Sequence, residues 1–329
     1  MIEKPCIIIP GPRKCGNTTL FDIISRHDHV DTPQYAEPHF FSMNENIINK
    51  NMDWYLNLYS GSEEKIMLDG TTHYFFSNRA LKNIRSYFKN IKVILLFRDP
   101  VKRTHSAFWH MKKKVPSKEK RSFEEIIKSI QGRDFKNIIE SENRALNQAI
   151  EENKIDKDYL DENYLKEKCN APFKSEFEDP LWFYKYFQGS LYSTKVEKWE
   201  ENFDKVKIIF LEEMIRNPEG TIRDIFEFGG LDASSSLLKL PHKNKTMIPE
   251  SKLAKKIKWM KNEFMNIPSL PKFGKLFVSY IHNALISELL YKPKPKLSKN
   301  NYYEGKVILK KEYRYWSSRK DSLNDLWVY

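Results

Sequence analysis

The chain has 329 residues, of which 40% are hydrophobic, 30% charged and 14% aromatic. This balance excludes a disordered polyelectrolyte and a low-complexity fibre, and it allows one large core or two modest ones. The formal net charge of +12 attracts polyanions such as nucleic acid, anionic lipid, acidic glycan or a phosphorylated cofactor, without choosing among them.

Cys6, Cys15 and Cys169 lack metal-ligand spacing and point to a reducing compartment. The N-terminus runs almost at once into the apolar stretch Cys6-Ile7-Ile8-Ile9, with no leader-like segment ahead of it. No apolar run approaches the roughly 20 residues that span a bilayer. The expectation is a cytoplasmic protein, or one trimmed of an anchor.

In chain order, residues 5–10 read as a short, fully buried strand of the kind found in a parallel sheet. A glycine-bearing turn and a helix over about 18–25 follow. Residues 65–69 form a second strand candidate, and Lys92-Val93-Ile94-Leu95-Leu96-Phe97 is the clearest strand. It leads into Asp99-Pro100, a cap followed by a first-turn proline, which predicts a helix through 104–111. A further strand over 207–211 precedes the same signature at Asn217-Pro218 and an amphipathic helix bearing Ile222, Ile225 and Phe226. Strands alternating with helices predict an α/β fold, a central parallel sheet flanked by helices. The expected organisation is a single domain over 1–329. It carries a polar helical insertion at about 112–178 and a basic C-terminal extension at about 256–329. Within that extension, Lys292-Pro293-Lys294-Pro295-Lys296 reads as an extended crossing segment.

Gly11-Pro12-Arg13-Lys14-Cys15-Gly16-Asn17-Thr18-Thr19-Leu20 joins the first strand to the first helix. Unpaired amides at a helix start bind phosphate oxygens; Lys14 adds a cation, and Thr18 and Thr19 add hydroxyls. The loop is P-loop-like but is not a Walker A motif, because Asn17 rather than a Lys-Ser/Thr pair follows Gly16. On its own it also fits a bare strand-to-helix turn. Arg98 stands at the carboxyl end of a strand, where open α/β sheets bind ligands, and Ser106 lies about two turns into the following helix. Taken alone, Arg98 equally fits an ion pair with Asp99.

The loop resembles the 5′-phosphosulfate loop of sulfotransferases that use 3′-phosphoadenosine 5′-phosphosulfate (PAPS), in particular the heparan sulfate and bacterial carbohydrate branch. Residues 97–106, Phe97-Arg98-Asp99-Pro100-Val101-Lys102-Arg103-Thr104-His105-Ser106, resemble that family's 3′-phosphate motif. Ala36-Glu37-Pro38-His39-Phe40-Phe41 resembles its Lys-Glu-Pro-His-Phe-Phe segment. The resemblance covers roughly 7–256, interrupted over 112–178.

The resemblance implies PAPS held by Arg13, Lys14, Cys15, Gly16, Asn17, Thr18, Thr19, Arg98 and Ser106. It further implies Lys14 on the leaving phosphate, Glu37 as general base with His39 beside it, and no metal. The acceptor is a small molecule or saccharide bearing a hydroxyl or amine; no nucleic-acid partner is expected. Ala36 and Gly70 stand where relatives carry lysines, which favours a small or weakly acidic acceptor. A P-loop kinase or nucleotide hydrolase, and a non-catalytic polyanion binder, remain the alternatives. Glu37 also fits a solvated carboxylate and His39 a satisfied core histidine. Residues 188–192, Trp199 and 211–214 read as scaffold, and residues 242–246 as a loop near the donor. Leu253, Ile257, Met260 and Phe264 predict an apolar helix stripe.

Overall fold

The computed structural model of the chain describes residues 1–62, 64–114, 118–233, 247–249, 256, 257, 260, 261 and 291–329. Residues 242–246, Leu253 and Phe264 lie outside the described residues.

The apolar run at the N-terminus becomes β1 (Cys6–Ile8), whose three side chains are all buried. With nothing polar to expose, the strand takes the middle of a five-stranded sheet of order β2-β3-β1-β4-β5. Its partners are β2 (Val30–Asp31), β3 (Ile66–Asp69), β4 (Ile91–Phe97) and β5 (Val206–Phe210). Every pairing is parallel; Ile8 lies opposite Asp69 on one side and Val93 on the other. The α/β expectation and the strand boundaries hold to within two residues.

From β1 the chain winds outward to β2 and back to β3, then crosses to β4 on the other flank of β1. The carboxyl ends of β1 and β4 therefore meet where the winding reverses, which is where such sheets open a ligand crevice. Helix α1 (Asn17–Ile24) leaves β1 there, and α2 (Pro100–Lys112) leaves β4. Asp99 caps α2 by accepting from Lys102 N at 2.9 Å, ahead of Pro100 in the first turn. At the other predicted cap, Asn217 Oδ1 accepts from Gly220 N at 3.2 Å. The helix that follows, Pro218–Gly229, buries Ile222, Ile225 and Phe226 against the sheet.

The stretch 112–178 is helical, with segments at Phe123–Ser129, Phe135–Glu151 and Tyr164–Cys169. Hydrogen bonds tie it to the body. The buried Glu142 carboxylate accepts from Phe187 N and Gln188 N, both at 2.8 Å. Tyr186 donates to Glu119 at 3.0 Å, and Glu119 also grips Arg121 in a fork.

The C-terminal extension is more than a basic tail. Its helices Lys299–Ile308 and Lys310–Arg319 bury Tyr302, Tyr313 and Trp316, and Trp327 is buried just beyond them. Tyr302 and Tyr313 both donate to the Asp99 carboxylate at 2.9 Å. Buried Glu312 accepts from Ser193 N, Ser193 Oγ and Trp316 Nε1. The predicted extended segment, 292–296, begins within a strand, Tyr291–Pro293, paired antiparallel with Met247–Pro249.

Candidate active site

The loop between β1 and α1 takes its shape from two glycines. Gly11 has φ +111°, and a Cβ there would sit 2.3 Å from the Thr72 carbonyl oxygen. Gly16 has φ +104° and a Cβ there would meet Leu211 at 2.8 Å. Both positions thus demand glycine on conformation and on space. Gly16 occupies the N-cap of α1 and supplies no side-chain acceptor, so the first-turn amides are left for a ligand.

Three side chains of the loop turn away from the crevice. Cys15 is buried, its Sγ 3.8 Å from the Tyr192 hydroxyl, and burial pushes its thiol up to about 12. Asn17 is spent on the loop itself, donating to the Pro12 carbonyl at 2.6 Å. The Arg13 guanidinium donates to the Phe183 carbonyl and lies over the Trp182 and Phe183 rings, at 5.1 and 4.4 Å. The Arg13, Cys15 and Asn17 side chains are thus engaged within the protein. Their backbone amides remain in the loop. Thr18 is exposed and Thr19 half-buried at the start of α1.

Lys14 behaves differently. Among the described residues its Nζ forms no hydrogen bond or ion pair, and its backbone is left-handed at φ 71°. Burial pushes it down to about 7, and the charges of Lys113, Arg13, Arg98 and Lys294 push the same way. Arg98 reaches the loop from the end of β4, donating to the Lys14 carbonyl at 3.3 Å and leaving a buried Nε without partner. The alternative of an ion pair with Asp99 is not realised, because that carboxylate is occupied by the Lys102 amide and two tyrosines. Ser106 is buried on α2, and among the described residues its hydroxyl is free of hydrogen bonds. Several cations converge on one loop, and among the described residues no carboxylate is paired to Lys14 or Arg98. Such an arrangement is unstable by itself and is relieved by a polyanion.

Glu37 stands beside this loop. Thr72, whose carbonyl abuts Gly11, donates its hydroxyl to Glu37 Oε2 at 3.4 Å. His39 Nε2 lies 3.4 Å from the same oxygen. Burial alone would raise the Glu37 carboxyl, but His39, Lys168 and Thr72 outweigh it and hold it down at about 2. Burial, then the Lys168 charge, pushes His39 down to about 4. Near neutrality the pair is therefore a carboxylate and a neutral imidazole. The His39 ring is buried at φ 56°, and its Nδ1 has no partner.

Sequence reasoning missed Lys168. Its Nζ is 3.1 Å from His39 Nε2 and 3.7 Å from Glu37 Oε2, delivered by the insertion helix Tyr164–Cys169. Lys114, also near the insertion, feels the charges of Arg13 and Lys168. Lys168 thus brings to Glu37 a cation that neither Ala36 nor Gly70 supplies. Gly70 has its own reason: a Cβ there would meet Phe21 at 2.6 Å and the Ala36 carbonyl at 3.1 Å. No single residue of the insertion advertises Lys168, because one lysine among 56 Lys and Arg carries no local signal.

The scaffold residues sit as expected. Gly189 makes room for Arg103, whose Nη1 would be 2.4 Å from a Cβ there, and Trp199 donates to the Phe75 carbonyl at 3.1 Å.

The family model described as a sulfotransferase domain matches residues 4–266. The chain belongs to the sulfotransferase family. Mouse heparan sulfate glucosamine 3-O-sulfotransferase 3A1 is 25% identical over 232 residues, spanning 70% of this chain and 46% of that protein. Human bifunctional heparan sulfate N-deacetylase/N-sulfotransferase 3 is 29% identical over 139 residues, 38% of this chain and 16% of that protein. The chain thus spans less than half the length of these curated relatives. A crystal structure of a sulfotransferase from Alicyclobacillus acidocaldarius superposes with a TM-score of 0.51 at 20% identity, covering 87% of this chain and 97% of that one, and shows the shared fold. Among the described residues, no helix is long and apolar enough to cross a membrane.

Proposed function

We propose that this sulfotransferase uses PAPS and transfers its sulfuryl group to a hydroxyl or amine of a saccharide or small molecule. The observation that carries the reading is the convergence of Lys14, Arg98 and the free amides of α1, unpaired with carboxylate, next to the Glu37–His39–Lys168 cluster. The residues fit a nucleotide with two phosphate-bearing ends. The loop of 11–20 serves the 5′-phosphosulfate, and Arg98 with Ser106 serves the 3′-phosphate.

When bound, the donor supplies an activated S–O bond to its 5′-phosphate, which breaks as the acceptor atom bonds to sulfur. Lys14 neutralises the charge that develops on the departing phosphate oxygen. Glu37, ionised throughout the neutral range, takes the acceptor's proton. Lys168 and His39 hold that carboxylate in place, and the Gly11–Thr72 contact keeps it at the loop. Lys168 and Lys114 supply cations on the acceptor side, which favours an acceptor with anionic substituents, as the heparan sulfate names of the relatives also do. The chain is read as one domain over 1–329. Its three free, buried cysteines fit a reducing compartment.

The test is calorimetry with adenosine 3′,5′-bisphosphate, with and without chelator. Binding that survives chelation and falls roughly tenfold to a hundredfold in Arg98→Ala supports the reading. Binding of ATP only, and only with magnesium, refutes it in favour of a kinase or hydrolase.

A further inference from the structure

His105 and Lys294 form a pair that the donor motifs above leave unused. Trp109 Nε1 donates to His105 Nε2 at 2.9 Å, and an indole nitrogen is a donor only. Nε2 is therefore the accepting nitrogen, and the single proton of a neutral imidazole belongs on Nδ1. Facing Nδ1 at 3.3 Å is Lys294 Nζ, an ammonium that also only donates. Two donors point at one another across a gap. Protonation does not relieve the conflict: burial, then Lys294 and Arg98, push His105 down to about 3. Burial and the Arg98 charge likewise push Lys294 down to about 8. Lys294 is half-buried while its neighbours Lys292, Pro293, Pro295 and Lys296 are exposed, so this side chain alone turns inward from the extended segment. Its charge also reaches Lys14 in the phosphate loop. What satisfies such a pair is a shared acceptor, an anionic oxygen between Nδ1–H and Nζ.

We propose that His105 Nδ1 and Lys294 Nζ, together with Arg98, grip the 3′-phosphate monoester of the nucleotide donor. The extended segment 292–296 is thereby a third donor-binding element. It lies beyond residues 4–266, where the family model matches. The inference rests on the donor reading above, and His105 enters as a ligand beside Ser106 on the same helix.

The experiment titrates adenosine 3′,5′-bisphosphate and adenosine 5′-monophosphate into the full chain and into Lys294→Met and Lys294→Arg. Methionine keeps the aliphatic stem, and a melting curve checks that each variant is folded. Wild-type protein should bind the bisphosphate more tightly than the monophosphate. Lys294→Met should lose roughly tenfold to a hundredfold for the bisphosphate and less than about twofold for the monophosphate, with Lys294→Arg restoring most of the loss. In a chain labelled with nitrogen-15 histidine, His105 should show its proton on Nδ1, with a resonance that moves on adding bisphosphate and not monophosphate. Bisphosphate binding unchanged in Lys294→Met, or both nucleotides weakened equally, overturns the proposal and leaves the donor site standing. Wild-type protein that binds neither nucleotide overturns the donor reading and this inference with it.

Discussion

The proposed donor side and the proposed acceptor side of this crevice are built by opposite strategies. On the proposed donor side, all ligand groups but Lys294 come from two short contiguous stretches, each a strand running into a helix: the loop of 11–20 and residues 98–106. Much of that surface is backbone, held by Gly11 and Gly16, whose conformations no other residue takes without strain. On the acceptor side, Glu37 meets Thr72 and Lys168, from segments far apart in the chain, and everything depends on side chains. A backbone-built site is conserved by local geometry, whereas a side-chain-built site can be rewired by an insertion. Lys168, carried to Glu37 by the helix Tyr164–Cys169, illustrates the second case.

The largest expected effect separates chemistry from donor binding. Glu37→Gln removes the proton acceptor, so kcat should fall by roughly 10²- to 10⁴-fold, while bisphosphate affinity by calorimetry stays within about twofold. Donor affinity falling in parallel would show that the two sides are not independent.

Next in size is a pH effect on the donor side alone. Lys14 sits at about 7 in the free protein, and an anion favours its charged form. Binding above pH 7 therefore takes up a proton, and affinity should drop by up to about tenfold per pH unit there, levelling off below 7. Lys14→Met should bind more weakly and lose the part of this slope that begins at pH 7, leaving what Lys294, at about 8, contributes. Calorimetry in buffers of different ionisation enthalpy counts the protons directly.

Lys168→Met tests the rewiring. Without that charge the Glu37 carboxyl rises from about 2, because its burial is less fully offset. The acid limb of kcat should shift to higher pH and kcat should fall severalfold, to about tenfold, with KM for the donor little changed. An unshifted acid limb would reduce Lys168 to a surface contact. The smallest effect belongs to Asn17→Thr, which removes the brace to the Pro12 carbonyl and should lower stability by about 1 kcal/mol in denaturant unfolding, leaving the donor site intact.

How much was legible beforehand follows the same division. The strands at Cys6–Ile8 and Ile91–Phe97 and the caps at Asp99 and Asn217 were readable because hydrophobic runs and capping chemistry act within a few residues. The same motif reading named Arg13, Cys15 and Asn17 without separating backbone from side-chain contributions, because a linear motif does not say which side chains face inward. The C-terminal region read as basic and extended, yet its helices carry the tyrosines that occupy Asp99 and so keep that carboxylate away from Arg98.

The sequence by itself determined the sheet, its central strand and the phosphate loop, since buried apolar runs and glycine conformations are local properties of the chain. Only the tertiary structure decided which cations stand free around that loop, that Lys168 reaches Glu37, and that Lys294 faces His105. Those are distances between groups up to 189 residues apart, and a charge declares its partner only when the fold has brought the two together.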